Sequence, residues 1–221
     1  MRGRAFIKVC GMTRLTDALD AVEAGATAVG FVFWPDSPRA VSPAAAGAIV
    51  AALPVGTVSV GVFVNETIEG IHAAVAASGV GVVQLHGDEP TTYASALPWP
   101  LIRAVDADEA AIAERAWPSD VTLLVDARDP VRRGGTGRQA SWALAARLAG
   151  RRPVVLAGGL TPENVADAIG SVKPYGVDVS SGVEREPGVK DRDKVVRFVA
   201  NARAAFAAGD ARAGGEGGST S

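Results

Sequence analysis

The sequence predicts an α/β protein of the (β/α)8 class, in which eight parallel strands close into a barrel inside an outer ring of helices. Three observations carry this expectation. Eight short β-rich apolar runs alternate along the 221 residues with alanine-rich segments of helical spacing. The runs are apolar on both faces rather than strictly alternating, which fits strands buried on both sides, with helices as the cover. Eight such units in roughly 200 residues lie at the low end of the barrel size range, whereas open doubly wound sheets more often carry about five to seven strands.

In chain order, the predicted strands are Phe6 to Val9, Ala28 to Phe33, Val58 to Val64, Val82 to Leu85, Leu101 to Val105, Val121 to Val125, Val154 to Ala157 and Val177 to Val179. The helical segments between them are Thr16 to Glu23, Pro43 to Leu53, Thr67 to Ser78, a weaker Thr91 to Leu97, Asp108 to Ala116, Ser141 to Ala149 and Pro162 to Ile169. A last helix runs from about Asp191 to Ala208. Ser42-Pro43 and Thr161-Pro162 each place a hydroxyl at the cap and a proline at the first helical position. One catalytic domain is expected over residues 1–208. Residues 209–221 turn to Gly, Ala, Ser and isolated charges, too little apolar surface to offset ordering entropy, and are expected to form a disordered tail.

Composition narrows the function. Hydrophobic residues at 48% and charged residues at 21% match an ordinary globular body. Twenty-two basic against twenty-four acidic side chains leave a formal charge of -2, which provides no field to gather nucleic acid or an anionic membrane. The single cysteine, Cys10, excludes an intramolecular disulfide, a four-cysteine zinc site and a CxxC redox pair, so a reducing cytoplasm fits best. The basic start Met1-Arg2-Gly3-Arg4 is followed by too short an apolar stretch for a signal peptide, and no run is long enough to span a bilayer.

In a barrel of this class, reacting groups sit at the C-terminal ends of the strands and in the loops that follow. Those ends hold Cys10-Gly11, Ser37-Pro38-Arg39, His86-Gly87 and Asp126-Ala127-Arg128, which share one rim. Three glycine-rich turns follow on the same rim: Gly134-Gly135-Thr136-Gly137, Gly158-Gly159 and Ser180-Ser181-Gly182. Glycines let backbone amides approach an anion, and the loops after strands seven and eight are the usual barrel phosphate site. Gly135, Gly158, Gly159, Ser180, Ser181 and Gly182 are therefore the candidate phosphate cup. A lone cysteine is more often a small buried hydrophobe, and Asp126 could simply pair with Arg128. Their places on strands one and six, with seven and eight between, make them a candidate acid/base pair for opposite faces of a substrate whose phosphate is held between. No metal, no redox cofactor and no macromolecular partner is implied. His72 is assigned no role, and Trp99, Trp117 and Trp142 are expected to pack outside the barrel.

Beyond these single residues, the sequence resembles the phosphoribosylanthranilate isomerase family. The match spans nearly the whole barrel and rests on Lys8-Val-Cys-Gly-Met-Thr13, Ala28-Val-Gly-Phe-Val-Phe33 with Ser37-Pro38-Arg39, Val83-Gln-Leu-His-Gly87, Gly134-Gly-Thr-Gly137, Leu156-Ala-Gly-Gly-Leu-Thr161 and Gly176-Val-Asp-Val-Ser-Ser-Gly-Val-Glu184. The resemblance implies an Amadori rearrangement of a phosphorylated aminosugar in tryptophan biosynthesis, with no coenzyme or metal; the sequence leaves the choice between monomer and homodimer open. It implies Asp126 as general acid, Cys10 as the base acting as thiolate, Arg39 as partner of the anthranilate carboxylate, and His86 and Asp178 as positioning groups for the sugar or the ring. The segment Arg138-Gln-Ala-Ser-Trp142 departs from the family pattern of an aromatic and an aspartate before the tryptophan. Two rivals remain at this level. An aldose-ketose isomerase of histidine biosynthesis would carry an aspartate where this chain has Cys10, and a silent phosphate-binding barrel would be expected to lack Cys10 or Asp126.

Overall fold

The computed structural model describes residues 5–127 and 135–215, with side chains described throughout except at 135–140, 210 and 212–215. Strands β1 (Phe6–Cys10), β2 (Ala28–Val32), β3 (Val58–Phe63), β4 (Val82–Leu85), β5 (Leu101–Asp106), β6 (Thr122–Asp126), β7 (Val154–Ala157) and β8 (Gly176–Val179) pair in parallel, in chain order, and β8 closes on β1. The barrel expected from the sequence is present. Each run reaches its neighbour through helices α1 (Leu15–Ala24), α2 (Pro43–Ala51), α3 (Ile68–Ser78), α4 (Tyr93–Ala96), α5 (Ala110–Ala116), α6 (Gly135–Ala149) and α7 (Val165–Val172), and α8 (Arg192–Gly215) ends the described chain.

Alternation along each strand separates two cores. Outward side chains such as Ile7, Val9, Val29, Phe31, Val83, Leu123, Leu156 and Val177 are buried against the helices. Inward ones, Val60, Ile102, Ala104, Leu124, Val155 and Ala157, form a smaller core within the barrel, with Phe6, Val58 and Val82 packed against it. This parity directs chemistry. Lys8 and Cys10 share a face with Phe6, Asp126 shares one with Leu124, and all three point into the barrel. Register then sets neighbours: Lys8 lies beside Asp178 of β8, and Cys10 beside Gly30 of β2.

Several boundaries differ from the sequence expectation. Ser42 caps α2 as expected, its Oγ accepting from the Ala45 amide at 3.2 Å. Thr161-Pro162, by contrast, belongs to a turn before α7, which starts at Val165 with Asn164 as its cap residue. The Thr161 Oγ1 accepts from the Glu163 amide at 3.2 Å, so the hydroxyl caps that turn instead. Helix α6 begins at Gly135 rather than Ser141, so helix propagation overrides the poor propensity of its glycines. Helix α8 continues to Gly215, through residues 209–215 that were expected to belong to a disordered tail, because the alanine-rich run from Ala204 to Ala213 extends a helix already nucleated. Residues 216–221 lie outside the described range.

The sequence reading passed over one element. After β8, a 3-10 turn (Ser181–Val183) leads into the antiparallel hairpin β9 (Glu184–Glu186) and β10 (Val189–Lys190). The hairpin lies beside the rim: Thr13 Oγ1 donates to the Gly188 carbonyl at 2.5 Å, and the Lys190 amide donates to Asp17 at 2.9 Å. Among the described residues, no helix is long and apolar enough to cross a membrane.

Candidate active site

A cavity of about 530 Å3 opens at the C-terminal ends of the strands. Cys10, Arg39, His86, Asp126, Gly158, Gly159, Asp178, Ser180, Ser181 and Gly182 all line it. Every candidate from the sequence except Gly135 is thus placed on one cavity wall. Gly135 is the first residue of α6, and the loop before it, 128–134, lies outside the described residues together with Arg128 and Gly134.

The acid/base candidates occupy opposite parts of the wall. Cys10 ends β1 and Asp126 ends β6, so β7 and β8 run between them. The turns after those two strands carry the glycines. Gly158 and Gly159 have φ of +89° and +63°, a left-handed conformation that L side chains rarely adopt. Asn164 holds this turn, accepting from the Thr161 amide at 2.8 Å and donating to the Gly159 carbonyl at 2.9 Å. At Gly182 any Cβ would overlap the Leu160 carbonyl oxygen, so only glycine lets the two turns close against each other.

Electrostatics concentrate in the floor. Lys8, fully buried, donates to Asp178 Oδ2 at 3.0 Å. Burial works against the Lys8 ammonium, but the negative partners Asp178 and Cys10 override it and hold its pKa above the ordinary lysine value. Burial pushes the Cys10 thiol up, with Lys8 opposing, and pushes the Asp178 carboxyl up in the same way. His86, exposed at the cavity rim, shares a hydrogen bond between its Nδ1 and Gln84 Nε2 at 3.1 Å. Burial and then the nearby Lys8 hold its pKa below the usual histidine value, so its imidazole is neutral at pH 7.

The His86 loop is braced from behind. Buried Glu89 accepts from the amides of Asn65 and Gly87 at 2.8 and 2.9 Å and from Arg103 at 2.6 Å. Arg103 in turn lies 5.3 Å from the ring centroid of Trp117.

Arg39 has a partner that the sequence did not foretell. Its Nε and Nη2 donate to the two carboxylate oxygens of Glu184 at 2.8 and 2.6 Å, and Lys190 Nζ donates to the same carboxylate at 2.8 Å. Burial raises the Glu184 carboxyl, yet the hydrogen bonds from Arg39 and Lys190 prevail and hold it below the usual carboxylate range. The guanidinium is therefore fixed at the cavity wall by the hairpin, with its remaining N–H groups uncommitted to Glu184.

Comparison with known proteins agrees with this geometry. The family model for N-(5'-phosphoribosyl)anthranilate isomerase matches residues 7–201. The chain belongs to the phosphoribosylanthranilate isomerase family. A relative of that name from Roseiflexus castenholzii is 50% identical over 212 residues, covering 90% of this chain and 99% of its own. Another from Syntrophus aciditrophicus is 46% identical over 201 residues, covering 89% and 86%. Among solved structures, the phosphoribosylanthranilate isomerase of Thermotoga maritima superposes with a TM-score of 0.83 at 42% identity, covering 91% of this chain and 100% of that one. A phosphoribosylanthranilate isomerase in complex with reduced 1-(o-carboxyphenylamino)-1-deoxyribulose 5-phosphate gives 0.81 at 40% identity, with the same coverage.

Seen as a family member, the chain shows four site residues that sequence reasoning gave no role. Lys8 and Gln84 are polar residues in otherwise apolar strands, a signal visible in the sequence. Glu184 was noticed only as the end of a motif. Trp34, half-exposed, lines the cavity in the loop that also brings Ser37 and Arg39 to the wall. His72 is exposed and meets Trp99 edge-on at 4.8 Å, and Trp117 and Trp142 pack with the outer core, all away from the site.

Proposed function

We propose that this chain performs the Amadori rearrangement of N-(5-phosphoribosyl)anthranilate to 1-(2-carboxyphenylamino)-1-deoxyribulose 5-phosphate in L-tryptophan biosynthesis, by acid/base catalysis between Cys10 and Asp126. The observation that carries this reading is one cavity lined by a thiol on β1, a carboxyl on β6 and the glycine turns after β7 and β8 between them. The substrate phosphate sits on Gly158, Gly159, Ser180, Ser181 and Gly182, with Gly135 contributing from the start of α6. Backbone amides at such turns donate to phosphate oxygens without a cationic side chain.

With the phosphate anchored there, the ribose lies between the two reacting groups. Asp126 gives its proton to the furanose ring oxygen as the anilino nitrogen lone pair forms the C1=N bond, and the ring opens to a Schiff base. Cys10 as thiolate takes the C2 proton, and the C2–H electron pair forms the C1=C2 bond of an enolamine. Protonation at C1 and loss of the C2 hydroxyl proton then give the ketone. Arg39, already oriented by Glu184, directs its free N–H groups to the anthranilate carboxylate. Trp34 beside it offers an aromatic face to the ring. His86, neutral, and Asp178 orient the sugar hydroxyls.

No cofactor is required by this sequence of proton transfers. A single free thiol acting as base fits a reducing cytoplasm, and the working unit is a monomer or homodimer. The test is direct: phosphoribosylanthranilate is fluorescent and its isomerised product is followed as that signal decays. Rapid decay on adding the purified protein supports the assignment, and a signal that persists while phosphate-dependent binding is retained refutes it.

A further inference from the structure

To act as the proposed base, a buried thiol must be able to give up its proton. Burial favours the neutral form of Cys10, so the site needs a compensating cation within reach of the sulfur. Lys8 meets that need by construction. Residues i and i+2 of a strand share a face, so Lys8 and Cys10 both point into the barrel from β1. The positive charge of Lys8 opposes the effect of burial on the thiol. Space for the two is made by Gly30, at the facing position of β2, where a Cβ would come within 2.8 Å of Cys10 Sγ and 3.0 Å of Lys8 Cε.

The same ammonium also holds Asp178, at 3.0 Å through Oδ2, while Asp178 Oδ1 is buried at the cavity wall with no hydrogen-bond partner among the described residues. One buried cation thus serves two acids. Lys190 of the hairpin adds positive potential at the sulfur, Arg39 lies close enough to Cys10 to feel its charge, and His86, just past the end of β4, and Asp126 of β6 line the same cavity.

We propose that Lys8 is the positioning residue for the base, and that Asp178 competes with the Cys10 thiolate for its ammonium. Lys8 favours the thiolate, and Asp178, as a second anion on the same cation, disfavours it. When the thiol loses its proton, a Lys8 N–H donates to sulfur and the ammonium keeps its charge. When sulfur takes up a proton, Lys8 relaxes fully onto Asp178. The proposal rests on Cys10 being the base, but its readout is the titration of the free protein, which does not depend on turnover.

Cys10 is the only cysteine of the chain, so thiolate ultraviolet absorbance, corrected with a Cys10→Ser variant for tyrosine ionisation, reports this one group. The midpoint is measured in wild type, Lys8→Met and Asp178→Asn. The expected result is two shifts of opposite sign. Lys8→Met raises the midpoint and Asp178→Asn lowers it, each by about one pH unit or more, which is about tenfold in thiolate fraction at a given pH. A merely structural role would not split the signs. Should Lys8→Met fail to fold, the double variant Lys8→Met/Asp178→Asn, which removes both buried charges, takes its place and is expected to titrate above Asp178→Asn. A midpoint that Asp178→Asn leaves unchanged or raises, or a Lys8-free variant that titrates at or below its lysine-bearing counterpart, overturns the proposal. If the shifts appear but Cys10→Ala remains active, the triad stands and the choice of base falls.

Discussion

Replacing Glu184 by glutamine removes one charge and should damage both stability and binding. In the folded protein this carboxylate accepts two N–H groups from Arg39 and one from Lys190, and a fourth from the Gly188 amide at 3.3 Å. The Lys190 side chain is 1% exposed, against 22% for Arg39, so the buried ammonium, which keeps the Ser180 carbonyl at 3.3 Å but loses its counter-charge, dominates the cost. Stranding one partner of a buried ion pair costs about 3–5 kcal/mol. At roughly 2–4 °C per kcal/mol for a chain of this size, the midpoint of thermal unfolding should fall by about 6–20 °C at pH 7. The loss should depend on pH. The Glu184 pKa is depressed on folding, so its contribution is complete above the unfolded glutamate value near ~4.3 and disappears as pH falls through the lower folded value. Wild type and Glu184→Gln should therefore converge in acid. Thermal unfolding followed by circular dichroism at pH 7 and at successively lower pH checks this, with KM expected to rise because Arg39 is no longer fixed. Equal midpoints at pH 7, or a gap that does not narrow in acid, would refute the reasoning.

Gly182→Ala should abolish detectable phosphate binding, measured by calorimetry with inorganic phosphate, because its Cβ cannot coexist with the Leu160 carbonyl. Retention of wild-type affinity would show that the two turns do not form the cup. His86 has a folded pKa below its unfolded value near ~6.5, so the unfolded chain takes the proton first and stability drains away as pH falls below about 6.5. Urea unfolding from about pH 7.5 to 5.5 should show His86→Gln losing less stability than wild type over that range, and parallel losses would contradict an imidazole held neutral by the fold. Trp34→Ala should raise KM about tenfold or more with a smaller effect on kcat, since an aromatic contact is made in ground and transition states alike. An unchanged KM would remove Trp34 from the binding wall.

Much of this was legible in the sequence because strand chemistry is local. Cys10 and Asp126 announce themselves as polar residues ending apolar runs, and the barrel supplies the rule that strand ends meet. The Gly158-Gly159 pair after β7 and the Ser180-Ser181-Gly182 turn after β8 are legible for the same reason. The Arg39 to Glu184 bond was not, since it spans 145 residues and depends on a hairpin of three plus two residues, too short for any periodic signal. Lys8 was visible as a charge inside Phe-Ile-Lys-Val-Cys, but its partner is fixed by barrel closure, which pairs β1 with β8 across 170 residues. Helix boundaries erred where capping competes with propagation: Pro162 opens a turn and not α7, and the alanines after Phe206 carry α8 onward.

The central claim is that Cys10 and Asp126 carry out the two proton transfers across one cavity. The most direct test compares single-turnover decay of phosphoribosylanthranilate fluorescence in wild type, Cys10→Ala and Asp126→Ala, each shown to be folded and to bind the product. The account predicts rapid decay in wild type and a loss of about a hundredfold or more in each variant, the scale of a positioned general acid or base. Near wild-type decay in both variants would contradict it, leaving the family assignment standing and the acid/base assignment wrong.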